Sequence, residues 1–435
     1  MKFSTETLAE ITTLMVTDFE RQIREGTKAD FSEMEQEMRQ VLKEIGKKSL
    51  GQMLDLQDEK EHGCEKRCEC KGKAKRISRR AAKLMSVFGW IEYRRSYYHC
   101  ASCGRRWYEL DEQQRLRPGR ATQGMIRLLG IAGVTVSFEE ASRQIAEYLL
   151  VEVSVNTIRC ETQMLGMHQQ KREAEWIRAS QDLNELQTRE RERDRRGRIY
   201  GSMDGAFVPI GSSWKELKTI SWYQARKRYG SEEMRAENIH YYTGLDDAES
   251  FGKLVWASAV HHQIDWADEL IFVCDGAVWI WKLVSHYFPK AVQIVDWYHA
   301  SKYLYPIADT LFGAESSAGA EWIVETQDLL WKGQVSTVIQ VLEQLILDGR
   351  GGPPVHDALT YYTNNQNRMD YAAFREQGFF IGSGTVESAC KQIASMRLKR
   401  SGAQWSMTGA SATAKARAAW LSNQWDDLLD LPLAV

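Results

Sequence analysis

The sequence predicts a multidomain α+β protein, and three observations carry that prediction. Helical apolar spacing opens the chain, a cysteine-rich basic stretch follows it, and beyond about residue 198 short β-like runs alternate with helical ones. At 435 residues the chain is long enough for two or three domains with ample core. Hydrophobic residues at 43% and charged residues at 27% are ordinary for a globular protein. No apolar run approaches the ~20 residues of a membrane span, and the first residues are too polar for a signal peptide. A cytoplasmic protein with no membrane step is therefore expected, and its eight cysteines are not read as a secreted disulfide framework.

Residues 1–62 form the first region. Ser32-Glu33-Met34-Glu35 has a capping-box pattern, and Met34, Met38, Val41 and Ile45 then fall at helical spacing. This stripe suits helix pairing or a dimer contact.

Residues 63–112 form a zinc-ribbon-like basic module. Between 64 and 106 lie 13 Lys and Arg against Glu65, Glu69 and Glu92, although the whole chain carries a net charge of only −2. That concentration beside aromatics points to nucleic acid, with Lys71, Lys73, Lys75, Arg76, Arg79 and Arg80 as candidate contacts. Gly89, amid aromatics and arginines from Ser86 to His99, suggests two short strands joined by a tight turn. Cys100-Ala101-Ser102-Cys103-Gly104 is a zinc knuckle, in which backbone amides turn toward thiolates around tetrahedral Zn²⁺. Its partner half is irregular, because Cys64, Cys68 and Cys70 offer no C-x2-C. Cys68 and Cys70 are favoured, with Cys64, His62 and His99 as substitutes; the zinc would be structural. Cys160, Cys274 and Cys390 read as buried small hydrophobes.

Residues 113–197 read as a helical, helix-turn-helix-like DNA-binding domain and a linker. One helix starts at Ser137 or Phe138, and Ser154 can cap the next. From 171 to 198 mixed charges such as Arg189-Glu190-Arg191-Glu192 give a solvated helix or linker.

Residues 198–299 change character, with β-like runs at 199–210, 217–224, 239–245, 253–260 and 270–274. A helix carrying Val278, Trp281, Leu283, Val284 and Tyr287 follows, then a strand from Ala291 to Val295. Residues 300–378 turn helical, interrupted from Gly349 to Pro354, and 379–435 hold a final helix over 384–400 with a tail. That helix shows Val386, Ala389, Cys390, Ile393 and Met396 on one side.

Two phrases match: Met203-Asp204-Gly205-Ala206 and Cys274-Asp275-Gly276-Ala277. Each places a carboxylate where a strand ends or turns, and Glu387 near a helix start supplies a third. Carboxylates on separate elements can hold two Mg²⁺ ions, one activating the attacking oxygen and one stabilising the leaving oxygen. Asp-Gly is also a common turn dipeptide, which is the plainer reading. Lys391, Arg397, Lys399 and Arg400 follow Glu387 and suit phosphate contact.

Several separated motifs together resemble the DDE transposases of bacterial insertion sequences of the ISKra type. They are Cys274 to Trp281, Val295-Asp296-Trp297-Tyr298-His299, Asn364 to Tyr371, Ile381 to Gln392 and Arg397 to Gly402. The resemblance runs from about residue 64 to 425. It implies an RNase H-like catalytic core with a helical insertion, in which Asp204, Asp275 and Glu387 bind Mg²⁺ or Mn²⁺. His299 would support the core or the DNA, as in related (Cys/Asp)-x-x-His motifs of Mutator-like and hAT-like transposases, or be simply a buried, hydrogen-bonded histidine. Implied partners are double-stranded DNA, both element ends and target, and further copies of the chain, at least a dimer. Two rivals stay open: an RNase H-like nuclease without strand transfer, and a non-catalytic DNA-binding protein derived from a transposase.

Overall fold

The computed structural model describes residues 5–26, 30–61, 63–189, 197–227 and 234–429. His62 and most of the charged stretch after Arg189 lie outside them. The protein is mixed α+β and divides into two compact units. The first comprises residues 1–126 and 143–153, the second 127–142 and 154–435.

In the first unit α1 (Thr5–Arg24) and α2 (Phe31–Glu61) precede a four-stranded antiparallel sheet ordered β1-β2-β3-β4. Its strands are β1 (Glu65–Arg67), β2 (Lys73–Ser86), β3 (Gly89–Cys100) and β4 (Arg106–Tyr108), followed by α3 (Glu109–Gln113). The box that starts α2 uses Asp30 rather than Ser32. The Glu33 N–H donates to Asp30 Oδ1 at 2.9 Å, and the Asp30 N–H donates to Glu33 Oε2 at 3.1 Å. Both patterns were present, and the earlier one wins by satisfying two end groups reciprocally. The basic run is itself strand: β2 and β3 are long, and the turn falls at Val87-Phe88. Fully buried Asp58 fastens α2 to this sheet, accepting from the Ser96 N–H and Oγ, each at 2.8 Å, and from Arg79 Nε at 3.1 Å.

The division between the units falls within α4 (Gln123–Thr135) and α5 (Phe138–Leu149). Ser154 caps α6 (Val155–Gln181) by accepting from the Thr157 N–H at 3.1 Å, so the anticipated cap is present. α7 (Leu183–Thr188) follows.

The second unit is built on a five-stranded sheet ordered β7-β6-β5-β8-β9. β5 (Arg198–Ile210), β6 (Ser213–Lys227) and β7 (Met234–Gly244) are antiparallel. β8 (Glu269–Cys274) and β9 (Val292–Val295) add in parallel to β5. Between β7 and β8 lies α8 (Ala248–His261), where the sequence pattern suggested a strand at 253–260. Asp247 caps this helix by accepting from the Ser250 N–H at 2.8 Å. Its residues are buried nearly all round, from Phe251 to Val260, so no 3.6-residue stripe marks it.

α9 (Val278–Tyr287) joins β8 to β9. Six helices then follow: α10 (Trp297–Lys302), α11 (Leu304–Phe312), α12 (Ser317–Trp331), α13 (Val335–Leu347), α14 (Pro353–Asn365) and α15 (Tyr371–Glu376). Leu304, Ile307, Val338, Leu342, Ala358 and Tyr362 belong to the same buried cluster as Ile271, Phe272 and Ile294 of the sheet. The helices after β9 therefore share one core with it.

α16 (Gly384–Cys390) passes into a π-helical stretch, Lys391–Leu398. The wider winding shifts the inward face, burying Leu398 and leaving Met396 exposed, contrary to the expected stripe. Nor is this the last helix. α17 (Met407–Leu421) and α18 (Trp425–Leu429) follow, and α17 is buried from Gly409 to Ala419 except at half-buried Ser411, so it shows no amphipathic pattern.

α17 lies against α6 because Gly166 has no side chain. A Cβ there would collide with the Ala412 carbonyl oxygen, a backbone atom that cannot swing aside. Gly166→Ala is expected to lower unfolding stability by roughly 1–3 kcal/mol, read as a reduced urea midpoint, because overpacking displaces a helix rather than a rotamer.

Candidate functional site

Strand register builds the acidic site. Gly201 of β5 pairs with Phe272 of β8, and Phe272 with Gln293 of β9. Continuing along each strand brings Asp204, Asp275 and Asp296 into one row, just past the ends of β8 and β9 but midway along β5, which runs on to Ile210 paired with β6; the strand end expected at Asp204 is instead the point where β5 has parted from β8. Parallel strand ends are where open α/β sheets present ligand sites. The Asp296 N–H extends the ladder by donating to the Cys274 carbonyl at 2.8 Å.

The members of the row differ in environment. Asp204 and Asp275 are half-buried, whereas Asp296 is fully buried. Burial pushes the Asp204 carboxyl up, the Gly205 N–H opposes this, and the charge of Asp275 adds to the rise. Two carboxylates that repel one another and are poorly solvated suit a divalent cation. Asp296 behaves differently: burial disfavours its charge, but hydrogen bonds from the His299 ring, the His299 N–H and the Ser383 N–H hold its carboxyl below the usual range.

Glu387 arrives from α16, and the loop before that helix is fastened by three bonds. The Phe380 N–H donates to Tyr200 Oη at 3.1 Å, the Trp297 N–H to the Ile381 carbonyl at 3.1 Å, and the Ser383 N–H to Asp296 Oδ2. His299 links the parts, its Nδ1 lying 3.2 Å from Asp296 Oδ1 and 3.5 Å from Glu387 Oε1. Ser383 Oγ donates to the same Glu387 oxygen at 3.3 Å.

Ligating atoms of Asp296, His299 and Glu387 all lie within 4.8 Å of one another. Asp296 is nevertheless a poor metal ligand, since its oxygens already accept from His299 and Ser383. Its role is to orient His299 and the α16 loop. Of the three acids expected from sequence only Glu387 belongs to this group; Asp204 and Asp275 lie outside it, each accepting one backbone N–H, from Gly205 at 2.7 Å and from Ala277 at 2.9 Å. The sequence marks Asp296 only as the first residue of the Asp-x-x-His motif, with the apolar strand that ends in it as a second signal, and gives no sign of the role of Ser383.

In the first unit, Cys68, Cys70, Cys100 and Cys103 bring their sulfurs within 4.8 Å of one another. The Cys68–Cys103 and Cys70–Cys100 sulfur pairs are each 3.6 Å apart. Cys64 is not part of the cluster. The Cys103 N–H favours the Cys100 thiolate, against burial and with help from the Ser102 N–H, pulling that thiol down to about 6. The Gly72 N–H favours ionised Cys70, but the neighbouring thiols of Cys103 and Cys100 push it up to about 12. Four sulfurs with amides aimed at them, unable to ionise together unaided, match the donor set of a tetrahedral Zn²⁺ site.

The basic candidates fare unequally. Lys71, Lys73, Lys75 and Arg80 are exposed and Arg76 is half-buried. Arg79 is engaged by Asp55, Asp58 and Glu59 of α2, which neutralise it. Lys391, Lys399 and Arg400 are exposed. Arg397 is a correction: it is 2% exposed, its Nε donates to the Gly133 carbonyl at 2.8 Å, and its guanidinium lies over Phe138. It satisfies the carbonyl end of α4 and cannot reach a phosphate. Cys160 is exposed, unlike Cys274 and Cys390.

A model of the family described as "Uncharacterised protein family (UPF0236)" matches residues 24–425. The chain belongs to the UPF0236 family. That match spans the cysteine cluster and the acidic row alike. Family relatives in Caldanaerobacter subterraneus subsp. tengcongensis include UPF0236 protein TTE2489, 23% identical over 77% of this chain and 67% of its own length. Another, UPF0236 protein TTE0610/TTE0881/TTE1053/TTE2432, is 23% identical over 77% of this chain and 66% of its own length. The chain thus spans about two thirds of the length of these relatives.

Two outcomes follow from the site. Cys100→Ser is expected to abolish stoichiometric zinc in the purified protein, measured by elemental mass spectrometry, while Cys64→Ser leaves it intact. Asp296→Asn should cost about 1.5–3 kcal/mol in a chemical-denaturation titration, since it weakens charged acceptor bonds inside the protein.

Proposed function

We propose that this UPF0236 chain is a metal-dependent DNA transposase with an RNase H-like catalytic core. The observation that carries the reading is the row of Asp204 and Asp275 on adjacent parallel strands, with Glu387 supplied by a separate helix. The sheet order agrees with it: three antiparallel strands, with the fourth and fifth parallel to the first. Further support comes from the relatives' names, one joining four designations and another two within one genome. Repeated copies are what a mobile element leaves behind.

Asp204, Asp275 and Glu387 would hold two Mg²⁺ or Mn²⁺ ions. Ions bound there supply the positive charge that activates an attacking water or 3′-hydroxyl and stabilises the leaving oxygen. His299 holds the Glu387 carboxylate in place, and Asp296 holds His299. The four cysteines would bind a structural Zn²⁺ that orders the basic β2–β3 hairpin for DNA. Exposed Lys71, Lys73, Lys75 and Arg80 would meet phosphates there, and Lys391, Lys399 and Arg400 would do so beside the acids. Two element ends must be handled together, so at least a dimer is expected. Among the described residues no helix is long and apolar enough to cross a membrane.

The test uses purified protein, DNA carrying the flanking ends of its own gene, and Mg²⁺ or Mn²⁺. End-specific nicks and joined products are expected from wild type, and a loss of at least about 100-fold in Asp275→Asn, given what transition-state charge stabilisation contributes. Cleavage without joining would favour the nuclease, and end binding without cleavage the non-catalytic binder.

A further inference from the structure

Next to the acidic row the second unit contains a cavity of about 920 Å³. Six residues give it its chemistry: Trp281, Lys282, Tyr303, Tyr361, Asn364 and Arg368. It begins directly behind Asp275. Tyr361 Oη donates to the Asp275 carbonyl at 2.7 Å. A Cβ on Gly276, whose φ is +98°, would stand 2.7 Å from the Tyr361 ring. The cavity wall and the backbone that presents the acid are thus packed as one piece.

Its aromatic groups are arranged as surfaces. The Tyr303 and Tyr361 rings stack with centroids 4.0 Å apart and planes 21° from parallel. Trp281 is 5% exposed, and its indole N–H has no hydrogen-bond partner, a donor left over inside the protein.

The cationic side is equally specific. Arg368 is held by neutral acceptors: Gln293 Oε1 at 2.7 Å, the Asn364 carbonyl at 3.1 Å and Asn365 Oδ1 at 3.3 Å. Its guanidinium lies 4.8 Å from the Trp281 ring centroid, and among the described residues no carboxylate pairs with it. Burial pulls its pKa down, the mark of a cation short of negative charge. Exposed Lys282 adds a second cation at the rim, and the only acid in the lining, Asp357, is exposed. Aromatic faces, side-chain amides and two cations with one exposed acid match a base joined to a phosphate.

We infer that this cavity takes a single unpaired nucleotide of the DNA strand, its base against the aromatic wall and its phosphate on Arg368 and Lys282. The inference rests on the transposase reading for its strand, but the pocket is testable without cleavage. Holding one nucleotide out of the duplex behind Asp275 would fix the register of the bond presented to the acids.

The first probe is free deoxynucleoside 5′-monophosphate, followed by saturation-transfer NMR on its base protons with the full chain. Saturable binding is expected for wild type and for Asp275→Asn. A weakening of tenfold or more is expected for the Lys282→Ala/Arg368→Gln double variant. Thr360→Trp, at an exposed position of the lining, should block binding by volume without removing a buried group. The second probe is end DNA with 2-aminopurine placed at successive positions around the cut. A several-fold emission rise at one position is expected with wild type in Ca²⁺, and its loss in the pocket variants. Absence of saturable mononucleotide binding, or binding unchanged in both pocket variants, overturns the inference whatever the cleavage assay gives. Nucleotide binding in a protein that neither binds nor cuts end DNA would leave the pocket standing and remove the transposase reading instead.

Discussion

The parallel pairing of β5, β8 and β9 is the constraint on which the rest of the second unit depends. Because Gly201, Phe272 and Gln293 are in register, the Asp three residues after each falls in one row. A slip of one residue in either ladder would turn one carboxylate to the opposite face and break the set. The register is held by burial on both faces of the sheet, where Ile271, Phe272, Val273 and Ile294 are all fully enclosed.

The row then divides labour through solvation and hydrogen bonding rather than residue type. Asp204 and Asp275 each accept one backbone N–H and remain half-buried, and the charge of Asp275 adds to the cost of ionising Asp204. Asp296, by contrast, has its charge met by the protein. Its bonds to His299 and Ser383 carry its influence into α10 and the loop before α16, and so to Glu387. Glu387 is consequently placed by the same network that consumes Asp296. Behind the row, Tyr361 fixes the backbone of Asp275 and Gly276 and opens the aromatic and cationic cavity.

The first unit applies the same logic with softer ligands. Its hairpin is strongly basic, yet α2 neutralises Arg79 and draws the sheet against itself through Asp58. What is left outward is the Lys71–Lys75 edge beside the four sulfurs, a compact cationic surface whose local backbone depends on the cysteine cluster.

Much of this was legible in the sequence. Asp204 and Asp275 announced themselves because an apolar run leading into Asp-Gly is a local pattern, although the strand ends only at Asp275 and runs on through Asp204 to Ile210, and the cysteine set because thiol spacing reports turn geometry directly. Ser154 showed itself as a cap for the same reason. The sequence by itself therefore determined many of the local elements, the separation into a cysteine-rich module and a later α/β region, and the sulfur cluster up to the choice among Cys64, Cys68 and Cys70. Tertiary structure alone decided the rest. α8 and α17 are buried almost all round, so their periodicity vanishes and only packing reveals them as helices. Arg397 looked like a surface cation until the carbonyl end of α4 was brought against it. Asp296 acquired its role from two groups that meet only in the fold, one of them at Ser383, far along the chain. Hydrogen bonds and burial between distant segments leave no period in a linear sequence, and these are the interactions that separate a half-buried carboxylate from one that holds the site together.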